Sequence, residues 1–180
     1  MTNIKSATIA TAAALFVVDQ AAKYGITDVL KLNFLSDAYH VTSFFNLRFV
    51  ANQGVSLGLL HADTATMRWL LVAMTGAIAL GVLVWLLREK NRADQMALGL
   101  VLGGAAGNIV DRIRLGYVVD WADFHIGAWQ PFLVFNGADA AITIGVLILL
   151  ARALLVRDKP TGDSGTHSGA EQGPTENIHA

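Results

Sequence analysis

The chain has 180 residues, 54% of them hydrophobic and 15% charged, with no cysteine, a formal net charge of −1 and a mean hydropathy of +0.49. Soluble domains usually carry about a quarter charged residues, so this is the composition of an integral membrane protein. The charge balance gives a nucleic-acid partner no electrostatic footing, and the missing cysteine removes disulfides, thiolate nucleophiles and Cys-ligated metals.

In chain order, Ala7 to Gly25 is apolar until Asp19, Gln20 and Lys23, and a first transmembrane helix is expected over about 7–27. A cleaved signal peptide is the weaker reading, because a charged cluster ends the run and no clean small-residue site follows. Lys31 to Thr66 contains YHVTSFFNLRFV, whose β-branched and aromatic residues predict one or two short strands. Trp69 to Leu87 has no charge and is long enough, as a helix, for about 30 Å of hydrocarbon, which places a second helix at about 68–88. In a third, about 94–112, Gly99, Gly103 and Gly107 recur every four residues and strip one face for close helix packing. Gly116 to Phe135 again reads as strand, and a fourth helix covers about 137–156. Residues 158–180 are polar, Gly-rich and aperiodic, and are expected to be a disordered tail.

The expected fold is therefore a mainly α membrane protein with one domain over 1–157, four transmembrane helices and a small β-sheet on the outer membrane face. The basic loop Arg88-Glu89-Lys90-Asn91-Arg92, with Lys5, Arg152, Arg157 and Lys159, outweighs Lys31, Arg48, Arg68, Arg112 and Arg114 on the other side. The positive-inside rule then makes both termini and the tail cytoplasmic.

In that topology Asp19 and Lys23, Asn108, Asp111 and Arg112, Asp120, and Asn136 and Asp139 all arrive near the outer ends of their segments. Ionisable groups in a membrane are expensive, so a cluster at one depth points to a site. Local explanations compete. Asp19 and Lys23 are spaced as an intrahelical ion pair. Asn136 fits an N-cap, with Asp139 as its acidic N3 partner. Asp120, between Val119 and Trp121, is either an exposed strand position or a half-buried acid. Asp111 opposes its helix dipole unless Arg112, Arg114 or another neighbour compensates it.

Gly54-Val55-Ser56-Leu57-Gly58 fits the G-x-S-x-G nucleophile elbow, but nothing in the chain builds the α/β sheet that motif needs. His40, His61 and His125 are scattered without metal-ligand spacing, so no metal and no cofactor is expected. Two carboxylates suffice for metal-free peptide hydrolysis. An ionised one takes a proton from water while a protonated one polarises the carbonyl, and like-charge repulsion separates their titrations.

Five ordered motifs resemble those of the bacterial lipoprotein signal peptidase family, signal peptidase II. Asp19-Gln20 with Lys23 resembles D-Q-x-x-K, and Asn52-Gln53-Gly54 resembles N-x-G. Gly103 through Arg112 resembles G-G-A-x-G-N-x-x-D-R, and Gly116 through Trp121 resembles G-x-V-V-D-F with Trp121 in place of Phe. Phe135 through Asp139 resembles F-N-x-A-D. The resemblance implies an intramembrane aspartyl endopeptidase of the bacterial inner membrane that cleaves just before the lipidated cysteine of diacylglyceryl-modified prolipoproteins. It implies Asp120 and Asp139 as the catalytic pair, with Asp19, Lys23, Asn52, Gly54, Asn108, Asp111, Arg112 and Asn136 as binding or supporting residues. The expected partners are prolipoproteins and membrane lipids, the chain being monomeric with its site near the outer face. After Asn52 the family often has G-A-A-F where this chain has Gly54-Val55-Ser56-Leu57. The alternative is a small proton-coupled transporter using the same acids as a relay.

Overall fold

The structure, a computed structural model, describes residues 2–34, 38–55, 60–61, 65–127 and 129–155. The expected tail and the Ser56–Gly58 part of the G-x-S-x-G match lie outside the described residues. Helix α1 (Thr2–Tyr24) continues as a π-helical turn, Gly25–Val29, and the run closes near Lys31, whose φ is 58°. The strands β1 (Tyr39–Thr42), β2 (Phe45–Asn52), β3 (Gly54–Val55) and β4 (Leu60–His61) come next. Then follow α2 (Ala65–Arg88), α3 (Arg92–Arg114), β5 (Val118–Phe124) and α4 (Gly137–Leu155).

Among the described residues α2, α3 and α4 are long and apolar enough to cross a membrane. Helix α1 is as long but is diluted by Thr, Ser, Asp, Gln and Lys. Helix α3 is the axis of the molecule and packs on α1, α2 and α4. Its glycines make this possible. A Cβ on Gly99, Gly103 or Gly107 would stand 2.7 Å from Thr8 Cγ2, 2.6 Å from the Ala12 carbonyl oxygen and 2.5 Å from Asp19 Oδ2. Those atoms all belong to α1, so the four-residue glycine period faces that helix. Gly104 and Gly145 serve the α3–α4 contact: a Cβ on Gly104 would strike the Ala138 carbonyl, and one on Gly145 would lie 2.6 Å from the Ala97 carbonyl oxygen. At the far end Arg152 of α4 clamps Asp94 in the first turn of α3, and Asn91 caps α3 by accepting from Ala93 N at 2.9 Å.

The three-stranded sheet has the order β1-β2-β5, all antiparallel, with Val50 opposite Asp120 and Asn52 opposite Val118. Among its described residues the Lys31–Thr66 region thus holds four strands where the sequence predicted one or two. Strands β3 and β4 have two residues each, too few to show an alternation. Strand β5 does not alternate either: Val118, Val119 and Asp120 are all buried, because α1 and α3 pack against the strand that β2 pairs with. Phe135 extends the sheet as a bridge opposite Ala122, with Trp121 N and Ala122 N donating to its carbonyl. That bridge delivers the next residue, Asn136, to the side of Asp120.

Candidate active site

Three helix ends and two strands meet at one polar cluster. Helix α1 brings Asp19, Gln20 and Lys23; α3 brings Asn108, Asp111 and Arg112; β2 ends in Asn52, β5 carries Asp120, and α4 opens with Asn136 and Asp139.

An ion triad forms the floor. Lys23 Nζ lies 2.7 Å from Asp19 Oδ2 and 2.7 Å from Asp111 Oδ2. The intrahelical pair expected for Asp19 and Lys23 therefore exists, but it is shared with a second helix. The cation compensating Asp111 is Lys23 of α1, not a neighbouring arginine. Asp111 also accepts from Gln20 Nε2 at 2.9 Å and from Val119 N at 3.3 Å. Asp19 Oδ1 accepts from Ala138 N at 3.0 Å, so the same acid caps the start of α4. Gln20 stands inside the D-Q-x-x-K match and was not singled out from sequence; its signal was its place one turn before Lys23 on a helix that joins α3.

The upper layer consists of two carboxylates dressed by amides. Asp120, 2% exposed, accepts from Asn136 Nδ2 at 2.6 Å and from Asn52 Nδ2 at 3.0 Å. Asn52 is itself fixed, because its Oδ1 accepts from Gly54 N at 3.1 Å. Asp139, half-buried, accepts from Asn108 Nδ2 at 2.7 Å and from Asn136 N at 3.4 Å. Asn136 Oδ1 takes the Asp139 N–H at 2.9 Å, which completes a reciprocal cap of α4. The capping role foreseen for Asn136 and Asp139 and their convergence with Asp120 are thus one arrangement. A single residue, Asn136, touches both acids.

The electrostatics single out Asp120. Burial first, and the neighbouring Asp139 charge second, raise Asp120 from an ordinary 3.8 to about 6; the amides of Asn52 and Asn136 and the Lys23 charge pull the other way. Among the described residues, the four aspartates Asp19, Asp111, Asp120 and Asp139 face Lys23 and Arg112, and that surplus of negative charge favours a proton on the buried acid without an ion pair, Asp120. Arg112 reaches the Asn108 carbonyl through Nη1 at 3.5 Å, while its buried Nε finds no acceptor among the described residues.

Two apolar clefts flank the acids. One of about 260 Å³ lies between α2, α3 and α4 and is lined by Thr75, Ile78, Ala105, Ile142, Asn108 and Arg112 among others. The other, about 370 Å³, runs along α4 past Phe132, Leu133, Phe135, Ala140 and Thr143 and ends on Asp139. A buried carboxyl raised to about 6 and joined through Asn136 to a second acid at the end of a greasy cleft is suited to proton transfer on a polar bond held within an amphiphile.

Comparison with known proteins bears on the same span. A family model described as signal peptidase (SPase) II matches residues 11–155. The chain is 57% identical to the lipoprotein signal peptidase of Rhizorhabdus wittichii over 147 residues, 82% of this chain and 85% of that one. It is 53% identical to the lipoprotein signal peptidase of Sphingopyxis alaskensis over 148 residues, with the same coverage of 82% and 85%. Two solved structures described as a bacterial membrane enzyme, determined by the in meso method, superpose with TM-scores of 0.71 and 0.72 at 28% and 30% identity. They cover 86% of this chain and 93% and 95% of theirs.

Proposed function

This chain belongs to the signal peptidase II family, a peptidase family that removes lipoprotein signal peptides, and from that membership we propose a specific mechanism: Asp120 and Asp139 hydrolyse the bond just before the diacylglyceryl-modified cysteine of a prolipoprotein. The observation that carries it is Asn136, whose side chain donates to Asp120 while its backbone N–H donates to Asp139.

Asp139, the more accessible acid with both oxygens accepting, acts as the base. It takes a proton from a water, whose oxygen attacks the scissile carbonyl carbon. Asp120, whose proton burial makes harder to lose by raising the carboxyl to about 6, donates that proton to the carbonyl oxygen as the tetrahedral intermediate forms. Collapse breaks the C–N bond; Asp139 returns its proton to the leaving nitrogen, and the intermediate's hydroxyl returns a proton to Asp120. One water is consumed, and a carboxylic acid and an amine leave. No step uses a cofactor or a metal. Asn52, Gly54, Asn108, Arg112 and Asn136 shape the substrate site, and Asp19, Lys23 and Asp111 support it.

The two clefts give apolar room for the lipid chains and the signal peptide on either side of the scissile bond. We further propose that α1 crosses the membrane with α2, α3 and α4, with both termini and residues 158–180 cytoplasmic. The acids then lie near the outer face of a bacterial inner membrane in a monomeric enzyme. A transporter relay has no comparable support, since the site acids gather at one end of the helices and do not step through them.

The test is to incubate purified protein in detergent with a diacylglyceryl-modified prolipoprotein and its unlipidated precursor. The lipidated form is cut, leaving the modified cysteine as the new N-terminus by mass spectrometry, and the precursor is cut far more slowly. Equal rates would refute lipid-directed placement.

A further inference from the structure

Lys23 has three N–H donors, and all three are used: two on Asp19 and Asp111, the third on Asn108 Oδ1 at 3.2 Å. The first two balance charge. The third goes to a neutral amide, where charge balance needs nothing. Its effect is on geometry. Asn108 Oδ1 faces two donors, Lys23 Nζ and Asn136 Nδ2 at 3.3 Å, while its Nδ2 faces one acceptor, Asp139 Oδ1 at 2.7 Å. Turning the amide over would set an N–H₂ against an ammonium and a second amide, and an oxygen against a carboxylate.

We propose that Lys23 is a positioning residue for the peptidase reaction: by holding Asn108 Oδ1 it locks the amide so that Nδ2 is presented to Asp139. This rests on the reading of Asp120 and Asp139 as the catalytic pair. Asp139 is the half-exposed member of that pair, next to an open cleft, so its carboxylate has somewhere else to turn. The Asn108 N–H pins one oxygen and the Asn136 N–H the other, and the lone pair left over on Oδ1 or Oδ2 is aimed at the attacking water. The charged groups that act on Asp139 are Arg112 from α3 and Asp120 from β5, and the Lys23–Asp19–Asp111 triad lies behind Asn108. The helix that carries Asp139 adds only Arg152, held by Asp94 at the far end.

Asn108→Asp keeps the size and the Lys23 contact but replaces the donor facing Asp139 by an oxygen and adds a negative charge beside it, so Asn108→Leu, which loses the donor without adding charge, is measured with it and must show the same fall in kcat. The measurements are kcat, KM, the kcat–pH profile and thermal stability in detergent, alongside Asp120→Asn and Asp139→Asn. For Asn108→Asp, kcat falls at least about tenfold and the acid side of the profile moves to higher pH by roughly one unit, while KM stays within roughly threefold. Lys23→Met shows the same kcat-selective loss; where it does not fold, Lys23→Gln, which removes the charge but keeps an N–H donor for Asn108 Oδ1, takes its place, and a loss there confined to stability would overturn the proposal. Wild-type kcat and an unmoved profile for Asn108→Asp would overturn the proposal, as would a loss confined to KM or stability. If Asp120→Asn and Asp139→Asn turn over normally, the catalytic pair itself is wrong. If they are dead while Asn108→Asp is normal, only the positioning role fails.

Discussion

Asp120 keeps two amide donors and still titrates at about 6, because burial and the Asp139 charge outweigh them. The sign of the pH effect follows from linkage. Below about 3.8 the acid is protonated in both folded and unfolded chains and stability is untouched; between about 3.8 and about 6 the unfolded chain loses the proton while the folded chain keeps it, so stability falls as pH rises. Asp120→Asn removes that penalty. Its melting temperature relative to wild type should climb from pH 4 to about pH 6 and level off above. A constant gap across that window would mean Asp120 is not desolvated as described. Asp111→Asn should behave in the opposite way, losing stability together with activity, since it breaks the Lys23 contact between α1 and α3. A stable, inactive Asp111→Asn would move Asp111 into the chemistry. EDTA should leave turnover intact, and loss on chelation restored by zinc would contradict hydrolysis by carboxylates alone.

At the scale of elements, glycine decides where the acids meet. Gly104 lets α4 lie against α3 with Ala138 one residue before Asp139, and an added Cβ would meet the Ala138 carbonyl and, at 2.9 Å, Ile142 Cγ1. Gly104→Ala should cost about 1–3 kcal/mol by overpacking and reduce turnover by displacing Asp139. Gly81→Ala in α2, where nothing lies within 4 Å, should be neutral or slightly stabilising in the same melting experiment. Equal behaviour of the two would remove the packing argument. The glycine period was legible in the sequence because it repeats; that Gly99, Gly103 and Gly107 face α1 while Gly104 faces α4 was not, because spacing alone does not name the partner helix. Strand β5 was legible as extended chain, but the burial of Asp120 was not. Val118, Val119 and Asp120 are all covered, so the alternation that would have settled its side is missing. The partner of Asp111 was missed for a similar reason: Lys23 is far away in sequence, and only the α1–α3 contact joins them.

For the whole molecule, hydropathy marks α2, α3 and α4 as spans, whereas α1 is diluted by the polar residues that feed the site. Its status therefore turns on topology. The chain has no cysteine, so single-cysteine variants report sidedness without background. Thr42→Cys on the exposed β1 strand should react with an impermeant maleimide added from outside, and Thr2→Cys at the start of α1 should react only after the membrane is opened. Labelling of both from the same side would break the four-span arrangement. The convergence of the candidate residues was largely legible, since each acid lies in a short motif near the end of its segment. What the motifs did not reveal was the shared wiring, in which Asn136 joins Asp120 to Asp139 and Asn108 joins Asp139 to Lys23.

The most direct test of the carboxylate pair is turnover of a diacylglyceryl-modified prolipoprotein by Asp120→Asn, Asp139→Asn and the double variant, with substrate binding measured in parallel. Each single should lose nearly all turnover while still binding substrate, and the double should be little slower than either, as expected for two groups working as one unit. Near-native turnover by Asp139→Asn, or losses that multiply in the double variant, would contradict the account.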